Sequence, residues 1–420
     1  MSQKERQAGR FREAPVVLGR REQGGKGALC LGRYHALDGS AGAAVYVDAL
    51  HPHVVLICGK RGYGKSYTIG VFLEEFLRLE PEVRENLGVV VVDTLGIFWT
   101  MAYPATLGKD GGRGMPVRVF VPEGAVDRAR RLGIEAVPYA VRASDLSVAA
   151  WCHLFKLSPM DPVGIVLTKA ILSIREVKPE FSLEDIRSWL QKCTEFDSLL
   201  RVAAGNLLEL AESWGIFSSG GVPVKQLVQA GEVSVLDISY LQSVELKDTV
   251  VALVADQIFE ARVLARKSYE RERLGLDPGE RGLPMAWLAV DEAQVFLPSQ
   301  GTTLSKEVLV SKWMRQGRQP GLSLIMATQR PSAVDEEVFA HSDLVVCHRV
   351  TAQEDLVALA RVRPEYLAGD IGSLIRQLGR EKGVAVLVDD TSESAHVVRI
   401  RPRLTWHAGE EPVALPPGKG

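Results

Sequence analysis

The stretch that most constrains the fold is His53-Val-Val-Leu-Ile-Cys-Gly59-Lys60-Arg61-Gly62-Tyr63-Gly64-Lys65-Ser66-Tyr67. A β-branched apolar run leads into a loop of the form G-x-x-x-x-G-K-[ST], and an amphipathic run to Leu79 follows. Strand, loop and helix in that order are the context in which this pattern cradles phosphate. Gly59, Gly62 and Gly64 permit backbone angles that turn successive N–H groups inward on an anion. Lys65 brings a point charge to the β- and γ-phosphates, Ser66 offers a hydroxyl to Mg²⁺, and the helix beginning there directs its positive end at the same anion. The expected ligands are ATP and Mg²⁺, with residues 59–67 around the phosphates.

With 420 residues, 46% of them hydrophobic, the chain has enough apolar material for one large α/β unit with insertions or for two domains. It contains no run of 18 apolar residues, and its polar start Met1-Ser-Gln-Lys4 lacks an apolar segment behind it. A cytoplasmic protein without membrane attachment is therefore expected. The five cysteines are odd in number and widely spaced, which favours buried thiols over disulfides or a metal cluster. His51 and His53 flank a proline, with no third ligand at a useful spacing. Net charge is −2, but residues 1–33 hold eight cations against three carboxylates, the composition of a nucleic-acid arm or of a solvated terminus.

Residues 28–50 alternate weakly around Gly-Ser-Ala-Gly and are expected to form a hairpin at the edge of the main unit. Gly88-Val-Val-Val-Val-Asp93 is continuously apolar, the mark of a strand buried on both faces of a parallel sheet. Val117–Val121 is a further strand. Residues 125–218 then change to three- and four-residue apolar spacing, in segments such as 145–155, 162–174, 183–193 with Ser182 as N-cap, and 198–214, and predict a helical insertion. Strand character returns at Val233–Asp237, before a long helix over 245–274 whose charged part from Arg262 to Arg273 reads as an exposed face.

Three further stretches complete the chemistry. Ala286-Trp-Leu-Ala-Val-Asp291-Glu292 is an apolar strand ending in two carboxylates, with Asp291 placed to hold Mg²⁺ through its water shell and Glu292 to polarise the attacking water. Leu322–Thr328 ends in Gln329, whose amide can sense a γ-phosphate. Between them, Arg315-Gln-Gly-Arg318-Gln-Pro-Gly stands far in sequence from any neutralising carboxylate, and Arg318 is the favoured finger for a neighbouring subunit's nucleotide.

The phosphate loop, the strand ending in Asp93, Val290-Asp291-Glu292-Ala293, the Gln-Gly-Arg318-Gln-Pro-Gly turn and above all Ala-Thr328-Gln329-Arg330-Pro331-Ser332 resemble the HerA branch of the HerA/FtsK superfamily, over about residues 53–405. The resemblance implies a RecA-like P-loop NTPase core, α/β, assembled as a homohexamer that drives double-stranded DNA through its channel with ATP, often beside a NurA-like nuclease at DNA ends. It assigns Lys65, Ser66, Asp291 and Glu292 to nucleotide binding and hydrolysis, Gln329 to sensing, Arg318 to the finger, and Arg349 to a second arginine near the γ-phosphate. Two features depart from the family. Residues 1–52 are too few for its complete N-terminal β-barrel, and Asp93-Thr-Leu-Gly96-Ile97 replaces its usual Asp-Pro-x-Gly-Glu. Such a variant also fits an ATPase of an anti-phage defence or effector-assembly complex, and related rings act as secretion or conjugation pumps. The expected division is a short basic β extension (1–52), core (53–124), all-α insertion (125–225), core (226–405) and tail (406–420).

Overall fold

A computed structural model describes residues 17–21, 24–35, 40–105, 112–277, 279, 282–360, 371–379 and 381–409. The cations at Lys4, Arg6, Arg10 and Arg12 lie outside the described residues, as does most of the tail. Among the described residues thirteen strands form one sheet: β1 (Val17–Leu18), β2 (Ala28–His35), β3 (Ala41–Asp48), β4 (Val54–Cys58), β5 (Leu87–Asp93), β6 (Arg118–Pro122), β7 (Ala136–Tyr139), β8 (Val233–Asp237), β9 (Met285–Val290), β10 (Leu322–Thr328), β11 (Leu344–His348), β12 (Val384–Asp389) and β13 (Ser394–Ile400). Their order is β1-β3-β2-β13-β12-β11-β4-β10-β9-β5-β8-β6-β7. From β11 to β7 every pairing is parallel, and β12, β13, β2 and β3 add antiparallel strands beyond β11. The hairpin β2-β3 thus extends the main sheet by pairing with β13.

The continuous apolar strands are explained by two cores. Along β4, Val55 and Ile57 face one core and Leu56 and Cys58 the other, so no position is free for a polar side chain. Helix α1 (Lys65–Arg78) packs Ile69 and Phe72 against the first face. The helical insertion and the helix Val244–Arg273 cover the second. Within the insertion, Ser182 caps Leu183–Lys192 in a reciprocal pair with Asp185, as the sequence implied.

Two readings from sequence need correction. The stretch from 125 is not all helix: after a short helix, Val126–Arg131, it returns to the sheet as the strand β7, and the helices that make up the rest of the insertion start at Val148. Pro138 and the shortness of β7 hid it, since an edge strand of four residues carries little period. Arg262, placed on an exposed face, is buried and donates Nε and Nη2 to Pro320 O at 2.8 and 2.6 Å and Nη1 to Leu283 O. Burial, with Arg266 nearby, pushes its guanidinium down to about 10. No described helix is long and apolar enough to cross a membrane.

The end of β3 is clasped to the phosphate-loop strand by a buried histidine. His53 Nδ1 lies 2.6 Å from Asp343 Oδ2 and its Nε2 3.1 Å from Asp48 Oδ2, and Asp48 also meets Arg20 and His51. Burial alone would lower the imidazole; the hydrogen bonds and charges of Asp343 and Asp48 outweigh it and push it up to about 9. A histidine raised in the folded state contributes fully below its unfolded value near 6.5 and loses that contribution as pH climbs through about 9. Denaturation midpoints should therefore fall between pH 7 and 9.5, by an amount worth roughly 3 kcal/mol. His53→Gln should flatten that slope, and an equally steep one in the variant would place the alkaline sensitivity elsewhere.

Candidate active site

The phosphate loop leaves β4 at Cys58 and enters α1 at Lys65. Gly59, Gly62 and Gly64 have φ of 152°, 79° and 116°, and a Cβ on Gly59 would lie 2.6 Å from His348 Cβ. Two main-chain bonds seat the loop: Gly59 N–H donates to Thr328 O at 3.3 Å and Lys60 N–H to Arg349 O at 2.8 Å. Lys65 is buried, with Nζ 3.3 Å from Lys60 O. Burial holds its ammonium below the ordinary value, partly offset by the Asp291 and Glu292 carboxylates. An amine so desolvated gains most from an incoming polyanion.

β9 and β10 bring the remaining groups to the same end of the sheet, with β10 lying between β4 and β9. Ser66 Oγ donates to Asp291 Oδ2 at 2.7 Å. Burial raises the Asp291 carboxyl, with the Ser66 hydrogen bond opposing it. Two hard oxygen donors in contact, one of them a desolvated carboxylate, suit a hydrated Mg²⁺. Glu292 has a left-handed φ of 55°, a strained conformation for a residue with a side chain. Its oxygens accept Gln329 Nε2 at 2.8 and 2.9 Å, and Oε2 also accepts Gln294 Nε2.

The other expected residues divide between the two ends of the sheet. Arg349 is beside the loop, its guanidinium 5.8 Å from the Tyr63 ring and its Nη1 donating to Gly379 O at 2.7 Å. Tyr67 turns away from the loop, its hydroxyl accepting Arg403 N–H at 2.6 Å. Lys60 and Arg61 are exposed at the loop tip. Arg318 stands before β10, at the end of the sheet opposite the phosphate loop. Seven residues of strand separate it from Gln329, a span of roughly 20–25 Å, so it does not belong to its own subunit's site. Its turn is braced by Arg262, and the helix leading to it has a π-helical stretch, Leu309–Met314, anchored where Trp313 Nε1 donates to Ala255 O at 3.0 Å. Arg315 pairs with Glu337 at 2.9 Å, whereas Arg318 is exposed and carries no ion pair among the described residues.

Sequence reasoning missed two supports. His348 is buried beneath the loop, with Nε2 2.9 Å from Thr68 Oγ1 and Nδ1 3.2 Å from Val384 O. Burial and the Lys65 charge push its imidazole down to about 4, so it stands neutral against the glycines. Gln294, two residues after Glu292, was the other; the available signal was its position following the Asp-Glu pair. Asp93, by contrast, closes a turn, accepting N–H groups of Leu95, Gly96, Ile97 and Phe98. Burial and the neighbouring Asp237 push its carboxyl up to about 7.

Residues 30–258 match the family model described as helicase HerA, central domain. The chain belongs to this family. Among curated relatives of the HerA family, a DNA double-strand break repair helicase HerA of Pyrococcus furiosus is 28% identical over 189 residues, 41% of this chain and 33% of that protein. One of Sulfurisphaera tokodaii is 24% identical over 196 residues, 47% of this chain and 36% of its own length. The match thus spans about a third of these HerA proteins. Among solved structures, VirB4 of Thermoanaerobacter pseudethanolicus aligns over 91% of this chain and 98% of its own, with a TM-score of 0.56 at 15% identity. The bacterial conjugative coupling protein TrwB aligns over 90% of both chains, with a TM-score of 0.52 at 12% identity. This HerA-family chain accordingly has the RecA-like fold of HerA/FtsK-type P-loop ATPases.

Proposed function

We propose that this protein hydrolyses ATP to move double-stranded DNA through a homohexameric ring, with a nuclease of the NurA kind as the partner in processing DNA ends. The observation that carries the reading is the placement of the charged groups. Lys65, Ser66, Asp291, Glu292 and Gln329 converge at one end of the sheet, while Arg318, with no ion pair among the described residues, stands on a braced turn at the other. In a ring, one subunit's Arg318 meets the next subunit's nucleotide, and hydrolysis couples to the contact between neighbours.

Each residue's part follows from its chemistry. Lys65 and the loop N–H groups hold the β- and γ-phosphates, and Gln329 donates to a γ-phosphate oxygen. Glu292 accepts the proton of the water that attacks γ-phosphorus as the bond to the β-phosphate oxygen breaks. Ser66 and Asp291 would hold Mg²⁺, which would supply neutralising charge to the phosphates. Arg318 and Arg349 offset the charge of the transferring group.

Steady-state ATPase assays on a hexamer of verified mass, with and without linear double-stranded DNA at two salt concentrations, test this. Turnover should rise with DNA and the rise should weaken with salt, because phosphate contacts release counterions. Arg318→Ala should lower kcat by at least about 100-fold without weakening nucleotide binding. A hexamer indifferent to DNA, or an Arg318→Ala enzyme of normal turnover, would overturn the corresponding half of the reading.

A further inference from the structure

Four side chains form a chain of hydrogen bonds around the proposed water-activating carboxylate, closed by the peptide link between Thr328 and Gln329. Thr328 Oγ1 donates to Gln294 Oε1 at 2.7 Å, Gln294 Nε2 donates to Glu292 Oε2, and Gln329 Nε2 donates to both Glu292 oxygens. Thr328 and Gln329 are consecutive at the end of β10, so the loop closes on itself across two parallel strands. Thr328 is completely buried, and its Oγ1 in turn accepts Arg330 N–H at 3.1 Å, which fixes the direction of its own proton.

The donors and acceptors decide what this loop does. An ionised carboxylate offers about four lone-pair sites. Three contacts from amide N–H groups already fall on Glu292, two on Oε2 and one on Oε1. Little acceptor capacity is left for a water proton. The two amides differ in how they can be released. Gln329 is free to exchange its carboxylate acceptor for a γ-phosphate oxygen, which carries comparable charge. Gln294 has no such choice: Thr328 occupies its carbonyl and so points its NH₂ group at Glu292.

We infer that Gln294 is a positioning residue that restrains Glu292, with Thr328 setting its orientation, so that ATP alone releases only the Gln329 latch and basal hydrolysis stays slow until β9 and β10 shift relative to each other. This rests on the assignment of Glu292 above. A shift between the two strand ends would lengthen the Thr328 to Gln294 contact, free the second latch, and leave Glu292 able to accept a proton. The restraint therefore links turnover to a displacement of the sheet, which is what a motor needs if it is not to spend nucleotide without a load.

The test compares kcat and KM for ATP in the full chain without DNA, for wild type, Gln294→Ala, Thr328→Val and Thr328→Ser. Gln294→Ala should raise kcat fivefold or more while KM changes less than twofold. Thr328→Val should raise kcat by a smaller factor, and Thr328→Ser, which keeps the hydroxyl, should match wild type. A fluorescent ADP analogue binding with unchanged affinity verifies that each variant retains its phosphate loop. If Gln294→Ala fails that check, the two Thr328 variants decide alone. An unchanged or lowered kcat in Gln294→Ala, or in Thr328→Val where that variant decides, overturns the restraint. A wild-type turnover that Glu292→Gln leaves intact overturns the assignment of Glu292 itself, and this outcome is distinguishable because it does not involve Gln294.

Discussion

Replacing Glu292 by glutamine is expected to leave ATP bound at near wild-type affinity and to lower kcat by about 10²–10⁴-fold, the range for loss of a general base. Affinity resides elsewhere: in the loop N–H groups, in Lys65 and at Ser66 and Asp291, none of which the substitution touches. The isosteric amide fills the same space beside Gln294 and Gln329 but cannot take a proton from water. Lys65→Ala should behave differently and lose nucleotide binding, because it removes the charge that the buried site is built to pair with a phosphate. Equilibrium binding of a fluorescent ATP analogue alongside single-turnover hydrolysis separates the two. A Glu292→Gln enzyme that turns over within tenfold of wild type would place the activating carboxylate on another residue.

The second large effect concerns a carboxylate on the phosphate-loop helix itself. Glu74 on α1 is fully buried and is enclosed by the segment after β13. Its oxygens accept the N–H groups of Leu404 and Thr405 at 3.0 and 2.9 Å and the Thr405 hydroxyl at 2.6 Å, and they meet Arg401 Nη1 at 2.7 Å and Arg403 Nε at 3.4 Å. Gly70, one turn earlier, has no side chain where a Cβ would fall 2.4 Å from Arg403 Nη1. Glu74→Ala strips the carboxylate from the deeply buried Arg403 and the acceptor from two main-chain donors, and leaves Arg401 with Glu75 alone, at 2.7 Å. A loss of about 3–5 kcal/mol in unfolding free energy is expected, read by urea denaturation, with a loss below about 1 kcal/mol excluding the cage as a major support. Burial alone would raise the Glu74 carboxyl, but the Thr405 and Leu404 hydrogen bonds and the Arg401 charge bring it below the ordinary range. Its contribution is therefore present above about pH 4.5 and is lost as pH falls through the lowered value. The same segment donates Arg403 N–H to the Tyr67 hydroxyl, a second tie between it and α1.

What could be read beforehand follows a physical division. Residues whose role depends on near neighbours were legible: the glycines and Lys65 of the loop, the apolar strand ending in Asp291 and Glu292, and the Ser182 cap. Residues whose role depends on a partner far along the chain were not. Arg262 looked like one cation of a solvated run because its acceptors, Pro320 and Leu283, are supplied by other segments. Glu74 looked like an ordinary helix glutamate, since nothing near it in sequence announces Arg401 and Arg403. His348 and Gln294 escaped for the same reason. Each is an unremarkable residue type at its own position and acquires its role from Thr68, Gly59 or Thr328 across the sheet.

The position of β4 within the sheet also determines when in synthesis the nucleotide site can exist. β4 lies between β10 and β11, and the contacts that seat it join His53 to Ser323, 270 residues on, and Val54 to Asp343, 289 residues on. At translation rates of about 5–20 residues per second, the strand bearing the phosphate loop waits roughly 15–60 s for both neighbours. Throughout that interval it emerges with two open edges and two apolar faces, the state most prone to pair with another nascent chain. The nucleotide site is thus assembled only once most of the chain has been made, however early its phosphate loop emerges.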